Sequence, residues 1–476
     1  MHRRLLVILG ALALFVAACS EAEPETEAAD DTTTTAADAD DGGDDADGGG
    51  DADDGGDGDA DDETGDDDTG DDGPAEGTGD SVVERHAGSP WYLGTVPDLP
   101  VAADGSAEPI KVGLINQEDG NPAGSYPEMR FAAGAAINFI NTELGGVDGR
   151  PLELVPCAND NFTEEKSRSC AQDLVAEGVV ALVGGLDVMA SGSLPVLEGN
   201  GIPMIGGIPA GLPEQRSDIA FAFSGGTAGA MAAMLSHAKD NGAESAMIAH
   251  GDFESFNITA QDFAAKVGES LGLEVTLVPF PILATDFLPV FNQALDTEAD
   301  AVIVAAADAA CISVMQGWKD FEIPSQLYLV GACAAEEIID NANGSQDGVI
   351  FSGEGPPVDV DTEGDIFEDA IDTYAEGFAH AAGTVGFRGM MNLYSLLVDL
   401  SPDDINSAAL LDLVRSAQER PSFWGHPYTC DGNQIPGLPS LCAPQQTLFE
   451  IPGEFEDLTF ISDWIDPVPL YQDALG

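Results

Sequence analysis

Six of the seven cysteines in this 476-residue chain fall into three close pairs: Cys157 and Cys170, Cys311 and Cys333, Cys430 and Cys442. Six thiols admit about 15 connectivities, and local spacing favours nearest-neighbour bridges. Each bridge would close a loop of about 12 to 22 residues and contribute about 3 kcal/mol by restricting the unfolded chain. No Cys-x-x-Cys, His-x-His or His-Glu-x-x-His occurs, so neither a zinc site nor another metal or cofactor is expected. No Gly-x-Ser-x-Gly elbow is present, and paired cysteines leave no free thiol to act as nucleophile. The 86 acidic residues are too many for any one pair to stand out as a glycosidase couple. The residue types point away from an enzyme.

The seventh cysteine, Cys19, has a different setting. Met1-His2-Arg3-Arg4 precedes an apolar run from Leu5 to Val16, which ends Val16-Ala17-Ala18-Cys19. A charged start, a short apolar core and small residues before a cut describe a secretory signal. The core is too short to cross a hydrocarbon layer of about 30 Å as a helix. The Cys after two alanines resembles a bacterial lipobox, with Val16 where Leu is commonest. That resemblance implies cleavage after residue 18, a diacylglyceryl thioether on Cys19 and export to the outer face of the cell membrane. Such a compartment is oxidising, as the three pairs require.

From Ser20 to Asp80 the chain has 27 acidic residues and no Lys or Arg. It lacks apolar periodicity and has almost nothing to bury, so ordering it would not be offset. It reads as a disordered, self-repelling spacer of about 40–50 Å or more. Its carboxylates keep no register around a turn of the kind calcium needs. The whole chain carries a net charge of -71. Without leader and spacer, 13 basic and 59 acidic residues remain. A surface of that sign excludes nucleic acid, which needs a basic face.

The body alternates strands and helices. Ile110–Asn116, Pro151–Pro156, Val179–Gly184, Ile202–Ile205 and Ala220–Ser224 read as apolar strands. Helical spacing runs between them through Glu128–Leu144, Thr163–Glu177 and Ser191–Asn200. The pattern then restarts, with helices Thr227–Asn241, Asn257–Leu271, Phe287–Leu295 and Cys311–Phe321. Between these lie strands Ser245–Ala249, Leu273–Val278, Ala301–Ala305 and Gln326–Val330. Two such runs imply an α/β protein of two doubly wound parallel-sheet lobes. Ligands of open parallel sheets bind beyond the carboxyl ends of the strands, so a cleft between the lobes is the expected site.

The loops at those ends supply the candidates. On the first lobe they are Tyr126 at the cleft mouth, Asp187, Val188, Met189 and Ser191, then Ile208, Pro209 and Ala210. On the second they are Asp252, Phe253, Ser255 and Phe256, with Asp308 after a later strand. Asp187 and Asp252 suit either ligand contact or helix capping. Phe253 and Phe256 suit stacking on a solute, Met189 and Ile208 an apolar wall, and Asp308 or Asp187 a cationic group. His250 suits a structural place at a strand end.

The order of several stretches resembles one family. Val112-Gly113-Leu114-Ile115 leads to Gly124-Ser125-Tyr126 and to Ile137-Asn138-Phe139-Ile140-Asn141, then Gly145-Gly146-Val147-Asp148-Gly149-Arg150. Val179-Val180-Ala181-Leu182-Val183-Gly184-Gly185, Gly201-Ile202-Pro203-Met204-Ile205 and Phe423-Trp424-Gly425 follow, with Tyr428, Asp431 and Gly432. Residues 109–476 resemble a type I periplasmic binding protein, of the leucine/isoleucine/valine-binding branch that serves ABC importers. The resemblance implies a Venus-flytrap architecture with three crossovers between lobes. Residues 109–225 and 357–445 would form lobe 1, and 226–356 and 446–476 lobe 2. Residues 1–18 would be the signal peptide, and 19–108 the lipidated Cys, acidic linker and lead-in.

The implied function is capture of a small polar solute (a branched-chain amino acid, amide or urea-like compound) by hinge closure and delivery to ABC permease subunits. The chain would act as a monomer, tethered by its lipid. The alternative is a ligand-sensing partner of a signalling receptor. The binding loops depart from the family. Hydroxyls expected at 187–189 are replaced by Asp187-Val188-Met189, leaving only Ser191 nearby. Cys333 falls near the acidic residue that grips a ligand's amino group.

Overall fold

Strand Ala181–Gly184 is buried at every position, as a strand covered by helices on both faces must be. In the computed structural model it sits at the centre of a five-stranded sheet. The order is Leu152–Ala158, Ile110–Asn116, Ala181–Gly184, Met204–Gly206, Ala220–Phe221. Every pairing is parallel, with Val112 opposite both Leu154 and Ala181, and Leu182 opposite Met204. The structure describes residues 81–118, 125–160, 163–209, 211–281, 284–307, 309–356, 362–380 and 382–476. The leader, Cys19 and the acidic spacer to residue 80 lie outside the described residues, as do Ala210 and Asp308. Among the described residues no helix is long and apolar enough to cross a membrane.

Helix Pro127–Glu143 buries Ala132, Ala136, Phe139 and Ile140 in the first core, and helix Gly383–Val398 crosses it. The crossing is close because Gly386 has no Cβ: one built there would stand 2.2 Å from the carbonyl oxygen of Met129. Helix Thr362–Tyr374 joins the same core through Ile366 and Phe367. A segment ahead of the first strand belongs to it too. Val82 and Val83, in the short helix Val82–Arg85, are fully buried.

The second sheet has seven strands in the order Thr459–Phe460, Thr447–Glu450, Ile350–Gly353, Gln326–Leu329, Ala301–Val304, Ser245–Gly251, Glu274–Phe280. Its five strands from Ile350–Gly353 onward are parallel. The two strands contributed by the chain end pair antiparallel, Phe351 opposite Phe449 and Phe449 opposite Phe460. They add an antiparallel edge to the parallel sheet that the strand-helix alternation leads one to expect. Two cores flank it: one under helices Leu288–Thr297, Ala309–Asp320 and Glu336–Ala342, the other under Gly226–Asp240, Ala265–Ser270 and Pro467–Leu475.

A second difference is local. Helical spacing predicts one helix over Asn257–Leu271. The observed helix begins earlier, at Glu254, and passes through a π-helical stretch, Thr259–Ala264, before Ala265–Ser270. That earlier start carries Ser255 and Phe256 onto the helix.

The three cysteine pairs are bridged as nearest neighbours: Cys157–Cys170, Cys311–Cys333 and Cys430–Cys442. Cys311 and Cys333 have no exposed surface.

Candidate functional site

The strand Ile110–Asn116 ends on two polar residues that organise the loops around it. Asn116, 1% exposed, donates from Nδ2 to the carbonyl of Tyr126 at 2.7 Å and accepts the N–H of Leu186 at 3.1 Å. Gln117 accepts the N–H of Val188 through Oε1 at 3.0 Å, and its carbonyl accepts the N–H of Tyr126 at 3.0 Å. Two amides thus hold the Tyr126 and Val188 loops side by side. Sequence reasoning passed over both residues. The available signal was a pair of amide side chains closing an otherwise apolar buried strand, where a polar group must find partners.

These loops meet a third. Tyr126, Val188 and Ile208 form one half-buried apolar cluster with Ala382, over buried Met129, Leu186 and Val385. Tyr126 and Met129 come from the start of helix Pro127–Glu143, and Ala382 and Val385 from the start of helix Gly383–Val398. Ile208 is held by its N–H to the carbonyl of Gly185 at 3.2 Å. Three predicted site residues therefore come together. Ala382 and Val385, which sequence reasoning missed, complete the wall. Pro209 is buried, and its carbonyl accepts from Gln215 Nε2 at 2.9 Å.

Other predicted residues turn elsewhere. Asp187 is 2% exposed, and its carboxylate accepts from Asn159 Nδ2 at 2.9 Å, Ser167 Oγ at 2.5 Å, Ser193 Oγ at 3.1 Å and the N–H of Met189 at 3.1 Å. These donors lie inside the first lobe. The expectation that Asp187 holds a cationic ligand group gives way to a structural role, because its oxygens are engaged by four neutral donors. Ser191 donates to Glu164 at 2.8 Å on the helix behind the loop. Met189 remains half-buried beside Val188.

On the second lobe, Asp252 is exposed, with its Oδ1 accepting from Asn257 Nδ2 at 3.0 Å. Phe253 precedes the helix Glu254–Ile258 and is 36% exposed; its ring meets that of Phe256 edge-on, centroids 6.1 Å apart. Ser255 is 8% exposed, and its hydroxyl oxygen accepts the backbone N–H of Leu212. Leu212 begins the short helix that follows the Ile208 loop. This bond fastens the segment that follows the Ile208 loop, whose Leu212 is buried in the core beside the second sheet, to the helix that carries Phe256. His250, 3% exposed, shares a 3.1 Å contact between Nδ1 and the carbonyl of Gly251. Burial pushes its pKa down, against smaller upward effects of that carbonyl and of Asp252.

Among the described residues, no group of three or more His, Cys, Asp or Glu is arranged to hold a metal ion. The arrangement offers an apolar wall, an aromatic lip and backbone groups at strand ends.

Comparison with known proteins agrees with this architecture. The periplasmic binding protein family matches residues 109–427. An ABC transporter solute-binding protein from R. palustris, solved in complex with 4-hydroxybenzoate, is 18% identical; the match covers 75% of this chain and 98% of that one, with a TM-score of 0.63. A fatty acid ABC transporter substrate-binding protein from Thermomonospora curvata is 14% identical over 79% of this chain and 96% of its own, TM-score 0.62. A leucine-binding protein from Thermotoga maritima is 16% identical over 75% and 99%, TM-score 0.61. No curated protein matches the chain. With most of its length matched, and with two parallel-sheet lobes in series, the chain belongs to the periplasmic binding protein family, in the type I fold of its leucine-, isoleucine- and valine-binding members.

Proposed function

We propose that this chain is an extracytoplasmic solute-binding protein of an ABC importer, held on the outer face of the cell membrane by a lipid on Cys19 and acting as a monomer. The solute enters between lobe 1 (109–225 and 357–445) and lobe 2 (226–356 and 446–476). The lobes close on it and present it to the permease. The chain makes and breaks no covalent bond.

The observation that carries this reading is the half-buried patch of Tyr126, Val188, Ile208 and Ala382. Half-buried apolar surface gains free energy when a solute covers it, at about 25 cal/mol per Å2. A branched aliphatic side chain fits that wall. Amides and urea-like solutes, which bring little apolar area, fit it less well. A branched-chain amino acid is therefore the solute class we assign.

The test is a calorimetric titration of the full chain with leucine, isoleucine, valine, acetamide, urea and benzoate. At 100 times its dissociation constant, a bound solute adds about 2.7 kcal/mol to stability. Binding of a branched-chain amino acid with neither amide nor urea supports the assignment. A silent panel, or affinity undiminished in Val188→Asp, rejects it.

A further inference from the structure

All three connections between the sheets meet at one carboxylate. The first leaves strand Ala220–Phe221 and passes Ser224; the second leaves strand Ile350–Gly353 at Glu354; the third enters strand Thr447–Glu450 from Gln446. Ser224 Oγ donates to Glu354 Oε1, and Gln446 Nε2 approaches the same oxygen at 3.4 Å. Thr447 Oγ1 donates to the carbonyl of Gly355 at 3.1 Å, so the start of the strand that the third connection enters is also bonded to the second connection. They are packed without clearance: a Cβ at Gly225 would stand 2.6 Å from the carbonyl oxygen of Pro444.

A fourth group comes from outside the connections. Arg388, on helix Gly383–Val398, donates from Nη2 to Glu354 Oε2 at 2.7 Å and from Nη1 to the Glu354 carbonyl at 3.1 Å. Its side chain is only 9% exposed. One guanidinium of the first lobe thus grips both the side chain and the backbone of the residue where the chain leaves the second sheet. Charge-assisted bonds in such a fork are directional as well as strong. A rotation of one lobe against the other changes the angles at this point before it changes anything in the cores.

We propose that Arg388 and Glu354 are positioning residues for solute capture: their ion pair, with Ser224 and Gln446, latches the three connections in the arrangement that brings Leu212 against Ser255. Neither residue needs to touch the solute. They act by favouring the arrangement in which Leu212 meets Ser255. The proposal goes beyond the identity of the solute and rests on capture by closure.

The test uses closure itself as readout. In the full chain without solute, with its three disulfides intact, Leu212→Cys and Ser255→Cys together report closure as the rate of cross-linking under a mild oxidant. Added Glu354→Gln keeps the shape and removes the charge. The double change Glu354→Gln with Arg388→Gln removes both partners, so no buried charge is left alone to unfold the protein. Ser224→Ala removes one neutral bond only. The expected cross-linking rate falls about tenfold or more in the first two and by a smaller factor in the third; Arg388→Lys, which keeps the charge, retains part of the rate. A defect of overall stability without a latch would lower the melting temperature and leave these rates unchanged. Parental rates in the double variant and in Ser224→Ala would overturn the latch while leaving closure intact. A parent pair that never cross-links would overturn closure, and the latch with it.

Discussion

The backbone N–H of Leu212, three residues after Pro209, is bonded to the hydroxyl of Ser255, two residues after Phe253. One bond therefore links the loop that carries the apolar wall to the helix that carries the aromatic lip. Ile208, four residues before Leu212, packs with Tyr126 and Val188 and is bonded through its N–H to the carbonyl of Gly185.

Val188 and Ile208 are only half-buried, so replacing either by Asp tests binding more than folding. We expect Val188→Asp and Ile208→Asp to weaken solute binding at least tenfold, about 1.4 kcal/mol, because closure would strand a carboxylate against apolar surface. Melting temperature should move little. Calorimetry against thermal melting separates the two; equal affinity in both variants would remove these residues from the site.

The lead-in to the first strand is fastened by Glu143. This carboxylate, 2% exposed, accepts the N–H groups of Val82 and Val83 at 3.0 and 2.7 Å, and the hydroxyl of Tyr374 donates to it as well. Glu143→Ala leaves the two buried N–H donors of Val82 and Val83 without a partner, at about 1–3 kcal/mol for such groups. Lower thermal stability and new protease cleavage near residues 81–90 are the expected outcome. Unchanged cleavage would mean that Val82 and Val83 hold the segment by packing alone.

The disulfides act on the unfolded chain. Cys157–Cys170 closes a separation of 13 residues, and replacing both cysteines by Ser should cost about 3 kcal/mol. Cys311 and Cys333 have no exposed surface, so a reductant should open that bridge only as fast as the protein itself opens. Mass spectrometry after alkylation follows each pair. Rapid loss of Cys311–Cys333 in the native protein would contradict the burial argument.

Acid sensitivity near neutrality has a specific origin. Burial lowers the pKa of His250, and burial also lowers that of His237. A histidine whose folded pKa lies below its unfolded value of about 6.5 takes up its proton first in the unfolded chain. Stability is therefore full above that value and falls as pH drops through it toward the folded pKa. Melting between pH 7.5 and 5.5 should show this decline, and His250→Gln combined with His237→Gln should flatten it. The same slope in the double variant would assign the effect to other groups.

The strand ends were legible because their strands are apolar runs bounded by glycine, as at Val183-Gly184-Gly185 and Ile205-Gly206-Gly207. Tyr126, Val188 and Ile208 follow from those ends directly. Asp187 was ambiguous for a physical reason: an aspartate after a buried strand reads the same whether it faces a solute or the hydroxyls of Ser167 and Ser193. Those partners lie 20 residues before it and 6 after it, and spacing alone does not reveal such a meeting. Glu354 was hidden more completely. One glutamate among 86 acidic residues carries no signal, and its partners Ser224 and Gln446 are brought to it by two other crossings and Arg388 by a helix of the first lobe. The antiparallel strands Thr447–Glu450 and Thr459–Phe460 were missed because pairing direction is decided by distant neighbours. The π-helical stretch at Thr259–Ala264 shifts the helix start without disturbing the apolar spacing beyond it.

The central claim is that a solute is captured by movement of two lobes about their three connections. Small-angle X-ray scattering of the full chain, with and without a saturating solute found by calorimetry, measures it most directly. The account predicts a smaller radius of gyration in the bound protein, lost in Glu354→Gln together with Arg388→Gln. A solute that binds stoichiometrically while the scattering curve stays the same would contradict it.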